Sequence, residues 1–131
     1  MLLMQLENRE KFAFLHIAHY LANADGKFEK KEKSMIEDYC IEMGIDDIIY
    51  KKDDFSLDEC LSKFISIKSQ RILLLELMIL VHADDKFNNQ EVDIINLICT
   101  KFDINDIQVR YASTWGKAIS SLREQALLMI E

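Results

Sequence analysis

The sequence predicts an all-α protein, a compact helical domain of about seven or eight helices. Its 131 residues contain no proline and only three glycines. Sheet proteins need turn residues at short intervals, so this scarcity favours few turns and long helices. Half of the residues are hydrophobic and 30% are charged, as in an ordinary globular domain. A chain of this length is expected to form one domain.

A short stretch of sequence occurs twice, 59 residues apart. ADGKFEKKE at 24–32 is echoed by ADDKFNNQE at 83–91, and eight of the 23 positions from 24 to 46 are identical without a gap. The chain is therefore interpreted as an internal duplication. We expect one domain over residues 1–131, built from two pseudo-symmetric repeats at about 9–66 and 70–130, each with an acidic loop between two helices.

Apolar spacing places the helices of the first repeat. Asn8 is a plausible N-cap for the first helix, and Gly44 is a suitable residue to end the second. Ser56 and Glu59 form a capping-box pattern at the start of the last one. The predicted helices cover about 9–23, 30–43, 46–51 and 56–67.

The second repeat follows the same scheme. Its first helix is almost entirely apolar and is expected to be central, with Glu76 paired inside it. Asn88 and Glu91 form the N-cap and N3 pair of the next helix. Tyr111 and Trp115 are interpreted as core residues, with an interface as the alternative. The predicted helices cover about 70–82, 88–102, 106–112 and 117–130.

The charge balance restricts the class of partner. A net charge of −7 and a pI near 5.0 repel phosphate backbones and anionic lipid, which argues against nucleic acid. The apolar run at 72–81 is too short to cross a bilayer, so no direct membrane insertion is expected. The N-terminus lacks the pattern of a signal peptide, and three cysteines without CxxC spacing indicate reduced thiols. These features together predict a cytoplasmic protein.

The duplicated loops carry the strongest candidate site. Each has an aspartate and, seven residues later, a glutamate, so a pseudo-twofold could bring four carboxylates together around a divalent, calcium-like cation. Leucine stands at the first EF-hand position of both loops, so neither is an EF-hand loop as it stands. The candidate ligands are Asp25, Glu32, Asp84 and Glu91, with Asn23, Glu29, Asp85 and Asn88 in support.

Helix capping is the alternative for the same residues. A glutamate in the first turn complements the helix dipole and reaches back to a free N–H group. An aspartate in a turn bonds its own backbone two residues on. Neither effect needs a metal. No catalytic motif is present in the sequence, which predicts a protein that is not an enzyme.

The chain resembles the TerB-like family, helical domains named for bacterial tellurite resistance. Residues 22–26 with Glu32 match the family's A-x-A-D-G turn and following acidic residue, and residues 82–85 with Glu91 match apart from the glycine. The resemblance covers about residues 8–130. It implies a pseudo-symmetric all-helical domain, a divalent-metal site at the shared acidic residues, and a role in tellurite resistance and stress response in bacteria.

The resemblance also implies partners. TerB-like domains act beside membrane proteins, and they occur in larger proteins where they serve interaction or dimerisation. We therefore expect a protein partner, such as a membrane-associated stress-response protein, or a homodimer. The expected function is a non-enzymatic, cation-binding stress-response domain. The alternative is a protein–protein interaction or dimerisation module in which the acidic loops only cap helices.

Overall fold

A computed structural model describes residues 1–84 and 88–131, except for the side chain of Asp84. The described residues contain no strand and are about 75% helical, which confirms the all-α prediction. They form six α-helices and three short 3₁₀ turns, so the expected count of seven or eight helices is not confirmed. The helices are α1 (Asn8–Ala22), α2 (Lys30–Met43), α3 (Leu57–Leu61), α4 (Ile67–Val81), α5 (Asn89–Lys101) and α6 (Asp106–Ile130).

Helix boundaries recur at the spacing of the sequence repeat. Helices α1 and α4 each have 15 residues, and they begin at residues 8 and 67, which are 59 apart. Helices α2 and α5 begin at residues 30 and 89, again 59 apart. The element order of the two halves therefore agrees up to the end of the second helix in each. Beyond it the halves differ, since α3 has five residues and α6 has 25.

The ends of α2 and α5 have the same backbone geometry. Gly44 and Asp103, also 59 apart, both adopt the left-handed conformation, with φ of 69° and 55°. In each case the next residue, Ile45 or Ile104, donates its N–H to the carbonyl of a cysteine five residues earlier, at 3.2 Å and 2.9 Å. This is a Schellman-type helix end, and it confirms Gly44 as the terminating residue.

Two serine caps explain why the sequence prediction misplaces the end of α3 and the start of α4. Ser56 accepts a hydrogen bond from the Glu59 N–H at 3.2 Å, as predicted. The helix that it caps ends at Leu61 rather than near residue 67. The reason is a second cap, because Ser66 accepts from the Ser69 N–H at 3.0 Å and begins α4 at residue 67. The first cap of α1 is Glu7, not Asn8.

The segment over 46–51 does not form the predicted helix. Asp47 anchors this segment to α1, because both of its carboxylate oxygens lie 3.0 Å from His19 Nε2. The same carboxylate also accepts the Ile48 N–H at 2.8 Å. An aspartate that bonds a neighbouring backbone N–H competes with helix formation, and here its distant histidine partner fixes the extended path.

Helix α6 is continuous and contains Gly116, whereas the sequence predicts two helices, over 106–112 and 117–130. The glycine lies in the helix interior and is buried against α4. A Cβ atom at this position would lie 2.6 Å from Met78 Cβ and 2.7 Å from the Met78 carbonyl carbon. Gly116 therefore allows close contact between two helices and does not mark a break.

Helix α4 is the centre of the hydrophobic core. It contacts α1, α5 and α6, and its residues Leu73 and Leu77 are fully buried. Phe14 of α1 and Ile98 of α5 are also fully buried. A helix that is hydrophobic on all sides needs covers on all sides, and these three neighbours provide them. The prediction of a central helix is confirmed, with its start at residue 67 instead of 70.

Glu76 is the one acidic residue of α4 and is completely buried. Its Oε1 accepts the Leu2 N–H at 2.7 Å and lies 3.1 Å from the Met1 amine. The neighbouring Glu42 of α2 accepts the Leu3 N–H at 2.9 Å. The expected pairing of Glu76 is therefore confirmed, and it holds the N-terminal residues against α4.

We predict that Gly116→Ala lowers the stability of the fold. In an exposed helix the same change would stabilise by about 1 kcal/mol. Here the added methyl group clashes with Met78, and overpacking of this kind costs about 1–3 kcal/mol. Chemical denaturation measures the difference, with Thr114→Ala on the exposed side of α6 as the control. A rise in stability for Gly116→Ala would show that the α4–α6 contact is looser than described.

Gly44 and Asp103, the two residues with left-handed backbone conformation at helix ends, give a matched pair of predictions. Asp103→Gly should raise the free energy of unfolding by about 1 kcal/mol, because glycine adopts positive φ without the Cβ penalty. Gly44→Ala should lower it by a similar amount for the same reason. Thermal or urea unfolding of both variants checks the signs. Equal signs for the two changes would contradict the common geometry of the two helix ends.

Candidate functional site

The first acidic loop joins α1 to α2. The Asp25 side chain is exposed, and its Oδ1 accepts the Lys27 N–H at 2.9 Å. Asn23 donates from Nδ2 to the His19 carbonyl at 2.7 Å, and so caps the end of α1. Both side chains are thus engaged with backbone groups near them in sequence. This is the turn geometry that the capping alternative predicts.

The glutamates of this loop begin α2. Glu29 is the N-cap and Glu32 is the N3 residue of a reciprocal capping box. The Glu29 N–H donates to Glu32 Oε1 at 3.3 Å. Glu32 is only 6% exposed, which is unusual for a carboxylate. One oxygen of this side chain is therefore used by the helix end, as expected for a cap.

The second loop repeats the arrangement with an asparagine cap. Asn88 accepts the Glu91 N–H at 2.9 Å, and its Nδ2 donates to Glu91 Oε1 at 2.5 Å. Glu91 is 5% exposed, as closely buried as its counterpart in the first loop. Asp85 and the side chain of Asp84 lie outside the described residues. The predicted N-cap and N3 roles of this pair are confirmed.

The predicted cation site is described only in part. Asp25, Glu32 and Glu91 can be located, but the fourth candidate ligand, Asp84, cannot. Within residues 1–84 and 88–131, no group of three or more His, Cys, Asp or Glu side chains is arranged to hold a metal. Leu21 and Leu80, at the first EF-hand positions, are buried in the helices that enter each loop. A four-carboxylate site at the two loops stays a prediction.

A cleft lies between the first loop and α5. Asn23 and Gly26 line one side, and Gln90 and Asp93 line the other. Apolar atoms form most of the lining. One carboxylate and two amides do not form the ligand set that a hard cation prefers. The cleft alone therefore gives no site.

His19 lies in an aromatic cluster that the sequence does not reveal. Its ring stacks on Tyr50 at a centroid distance of 5.8 Å and lies 5.7 Å from Phe28. The hydrogen bond between its Nε2 atom and the Asp47 carboxylate completes its surroundings. His16, one turn earlier, is partly buried, and this burial, together with repulsion from His19, lowers the pKa of His16. The two histidines are therefore packed side chains of α1.

The three cysteines are free thiols with low reactivity. Burial, with added repulsion from Asp47, raises the pKa of Cys40 to about 11. Burial also raises the pKa of Cys99 to about 11, although Arg71 opposes it. Burial raises the pKa of Cys60 as well. Since the thiolate is the nucleophile, none of these environments activates a cysteine.

The largest unexpected feature is an exposed face of α6, which we call the α6 face. Tyr111 is 73% exposed, Leu122 is 58% exposed and Met129 is 88% exposed. Core packing is therefore the wrong interpretation for Tyr111, while Trp115 is half-buried. The α6 face consists of six residues at spacings of three and four: Tyr111, Trp115, Ala118, Leu122, Gln125 and Met129.

The α6 face carries no charge over its whole length. At 3.6 residues per turn, all five charged residues of α6 fall on the other sides of the helix. These residues are Asp106, Arg110, Lys117, Arg123 and Glu124. Surface helices of globular proteins normally direct charged and polar residues to solvent. An alternation of period 3.5 within 106–130 was the available signal, but the predicted helices over 106–112 and 117–130 interrupt it.

Ion pairs fix the second half of α6 against α2. Arg123 pairs with Asp38, and Lys31 pairs with Glu124. These pairs are partly exposed, so each contributes little stability by itself. They lie on the side of the helix that is turned toward α2. The α6 face is therefore held toward solvent by the opposite side of the same helix.

Comparisons with known proteins identify no relative. The chain matches no family model, no curated protein and no solved structure. The TerB-like resemblance is neither supported nor opposed by this result and stays a prediction. Among the described residues, no helix is both long and apolar enough to cross a membrane.

Proposed function

We propose that this protein is a non-enzymatic interaction module that binds another protein surface through the α6 face. The observation that carries the proposal is the exposure of Tyr111, Leu122 and Met129 on one uncharged side of a 25-residue helix. A partner that covers these apolar side chains removes them from water, which favours binding. Interface centres are enriched in Tyr, Trp and Met and depleted of charged residues, which is the composition of this face.

The geometry of the acidic loops agrees with this proposal. Asp25, Glu29, Glu32, Asn88 and Glu91 each bond a backbone group or a capping partner at a helix end. N-caps of this kind stabilise a helix by about 1 kcal/mol each. Their residue types are thus accounted for by folding. Within the described residues, only Trp115 of the α6 face packs against the core, and Tyr111, Leu122 and Met129 are exposed.

Site-specific photo-crosslinking in cells tests the interaction module. A benzophenone amino acid at Tyr111 should give covalent protein adducts when illuminated, because a partner covers this position. The same probe at Ile49, which is 82% exposed and off the α6 face, is the control. Adducts at 111 should disappear when Leu122→Glu places a charge in the face. If adducts at 111 do not exceed the control level, the proposal of an interaction module is contradicted.

A divalent-cation site is the second candidate, with Asp25, Glu32, Asp84 and Glu91 as ligands and a calcium-like ion as cofactor. It is favoured by one observation, the near-complete burial of two glutamates at equivalent positions of the two repeats. Carboxylates are rarely buried to this extent unless they are paired or bind a metal. A pseudo-twofold relation between the repeats would direct both toward one place. A cation site of this kind corresponds to the stress-response role that the TerB-like resemblance implies.

Thermal unfolding of chelator-treated protein tests the second candidate. If a cation binds, one of Ca²⁺, Mg²⁺ or Zn²⁺ at 100 times its Kd should stabilise the fold by about 2.7 kcal/mol and raise Tm by several degrees. The double variant Asp25→Asn with Asp84→Asn should lose this shift. An unchanged Tm with all three ions would leave the carboxylates as helix caps.

A further inference from the structure

We propose that a pocket between α4 and α6 binds a small apolar carboxylate, such as a medium-chain fatty acid, and that Arg71 pairs with its carboxylate group. We call this site the Arg71 pocket. Its volume is about 510 Å³, within the range of about 300–1,000 Å³ that is usual for small-molecule sites. Tyr111 and Trp115 of the α6 face form part of its lining. The interaction module does not require this ligand, and the ligand does not require a protein partner.

Arg71 is the only charged residue among the described residues that line the pocket. Its side chain is half-buried, and its Nη1 atom is buried without a hydrogen-bond partner. Asp106 lies in the same neighbourhood, because the charges of both residues act on the Cys99 thiol, but it forms no ion pair with Arg71. A buried donor on a charged group is costly to leave unpaired. Arg71 therefore lacks the anion that its position requires.

The polar groups beside Arg71 are hydrogen-bond donors as well. Gln108 Oε1 accepts the Asn105 N–H at 3.1 Å, so the group that Gln108 has left for a ligand is its Nε2 amide. Tyr111 adds a hydroxyl group to the same lining. The Arg71 side chain is part of the pocket wall, so a bound anion reaches the guanidinium from the pocket. A guanidinium next to neutral donors suits a carboxylate, which accepts parallel N–H bonds from the guanidinium fork.

The rest of the lining is apolar and restricts the ligand further. It consists of Leu2, Leu74, Leu75, Ala112 and Trp115. An inorganic anion would leave these side chains in contact with water, and the net charge of −7 repels ligands with several negative charges. A peptide C-terminus also has a carboxylate, but its backbone would bring amide groups that these side chains cannot bond. A single carboxylate on a hydrocarbon chain fits both parts of the pocket.

Titration of the purified full chain with decanoate tests the site. Trp115 is the only tryptophan in the sequence and lines the pocket, so its fluorescence should change and then saturate as the ligand binds. Arg71→Met should weaken decanoate binding more than about ten-fold, because the carboxylate loses its charged partner. Arg9→Met, which removes a largely exposed guanidinium outside this pocket, should bind as the wild type does. The neutral analogue 1-decanol should bind the wild type more than about ten-fold more weakly than decanoate.

A second variant places a competing carboxylate beside Arg71. Residues 71 and 75 are four apart on α4, so Leu75→Glu puts a glutamate next to Arg71 on the helix surface. Its carboxylate should pair with the guanidinium and abolish decanoate binding while the protein stays folded, which thermal unfolding checks. Leu75→Gln, which has the same shape without the charge, is the matched control and should bind decanoate more tightly than Leu75→Glu.

Four results would overturn the site. A wild-type chain without a saturable change, in fluorescence and in calorimetry, has no such ligand. Equal affinities of the wild type and Arg71→Met, or of decanoate and 1-decanol, would contradict the pairing with Arg71. A peptide that binds more tightly than decanoate through its C-terminal carboxylate would replace the small molecule with a protein. None of these results changes the crosslinking test at Tyr111, so the two proposals can fail separately.

Discussion

The close approach of α6 to α4 at Gly116 is the contact on which the rest of the structure depends. Helix α4 is buried over most of its length, so its stability depends on the helices that cover it. Gly116 lets the α6 backbone lie directly against Met78. His82, just after α4, adds two polar contacts to α6, through Ser113 at 3.0 Å and Ser120 at 3.3 Å. These contacts fix which side of α6 is buried and thereby which side is exposed.

A second constraint is the buried carboxylate of Glu76. An ionised carboxylate in a hydrophobic core is costly unless hydrogen bonds compensate for the lost water. The Leu2 N–H provides one such bond, and Leu3 and Leu6 beside it are buried. Burial raises the pKa of the neighbouring Tyr39, and the Glu76 charge raises it further. The first residues of the chain are thus a structural part of the core around α4.

Features set by local chemistry could be predicted from the sequence. The caps at Ser56, Asn88 and Gly44 depend on residues within a few positions of each other, and all three are confirmed. The helix over 46–51 was wrong because Asp47 bonds His19, a partner 28 residues away. The predicted break between 112 and 117 was wrong, because this stretch packs closely against α4 at Gly116 and Met78 within one continuous helix. Both errors arose from tertiary contacts that a local pattern does not contain.

In the candidate site, too, the local contacts could be predicted from the sequence and the long-range ones could not. The N-cap and N3 roles of Asn88 and Glu91 and the capping role of Glu32 follow from their spacing, and the structure confirms them, whereas the N-cap role of Glu29 is seen only in the structure. A site that needs both loops depends on the relation between the repeats, which spacing along the chain does not determine. The exposure of Tyr111 could not be predicted from the sequence either, because an aromatic residue at helical spacing is usually part of a core.

The sequence agreement at a spacing of 59 residues separates the acidic loops from α6. The segments that recur at 59 residues contain the helix ends, and their shared residues have folding roles wherever they are described. The segments that follow them do not agree, since one contains the short α3 and the other is the long α6. The uncharged side of α6 therefore lies in a part of the chain without a counterpart at this spacing, and its pattern does not follow from the helix ends that recur.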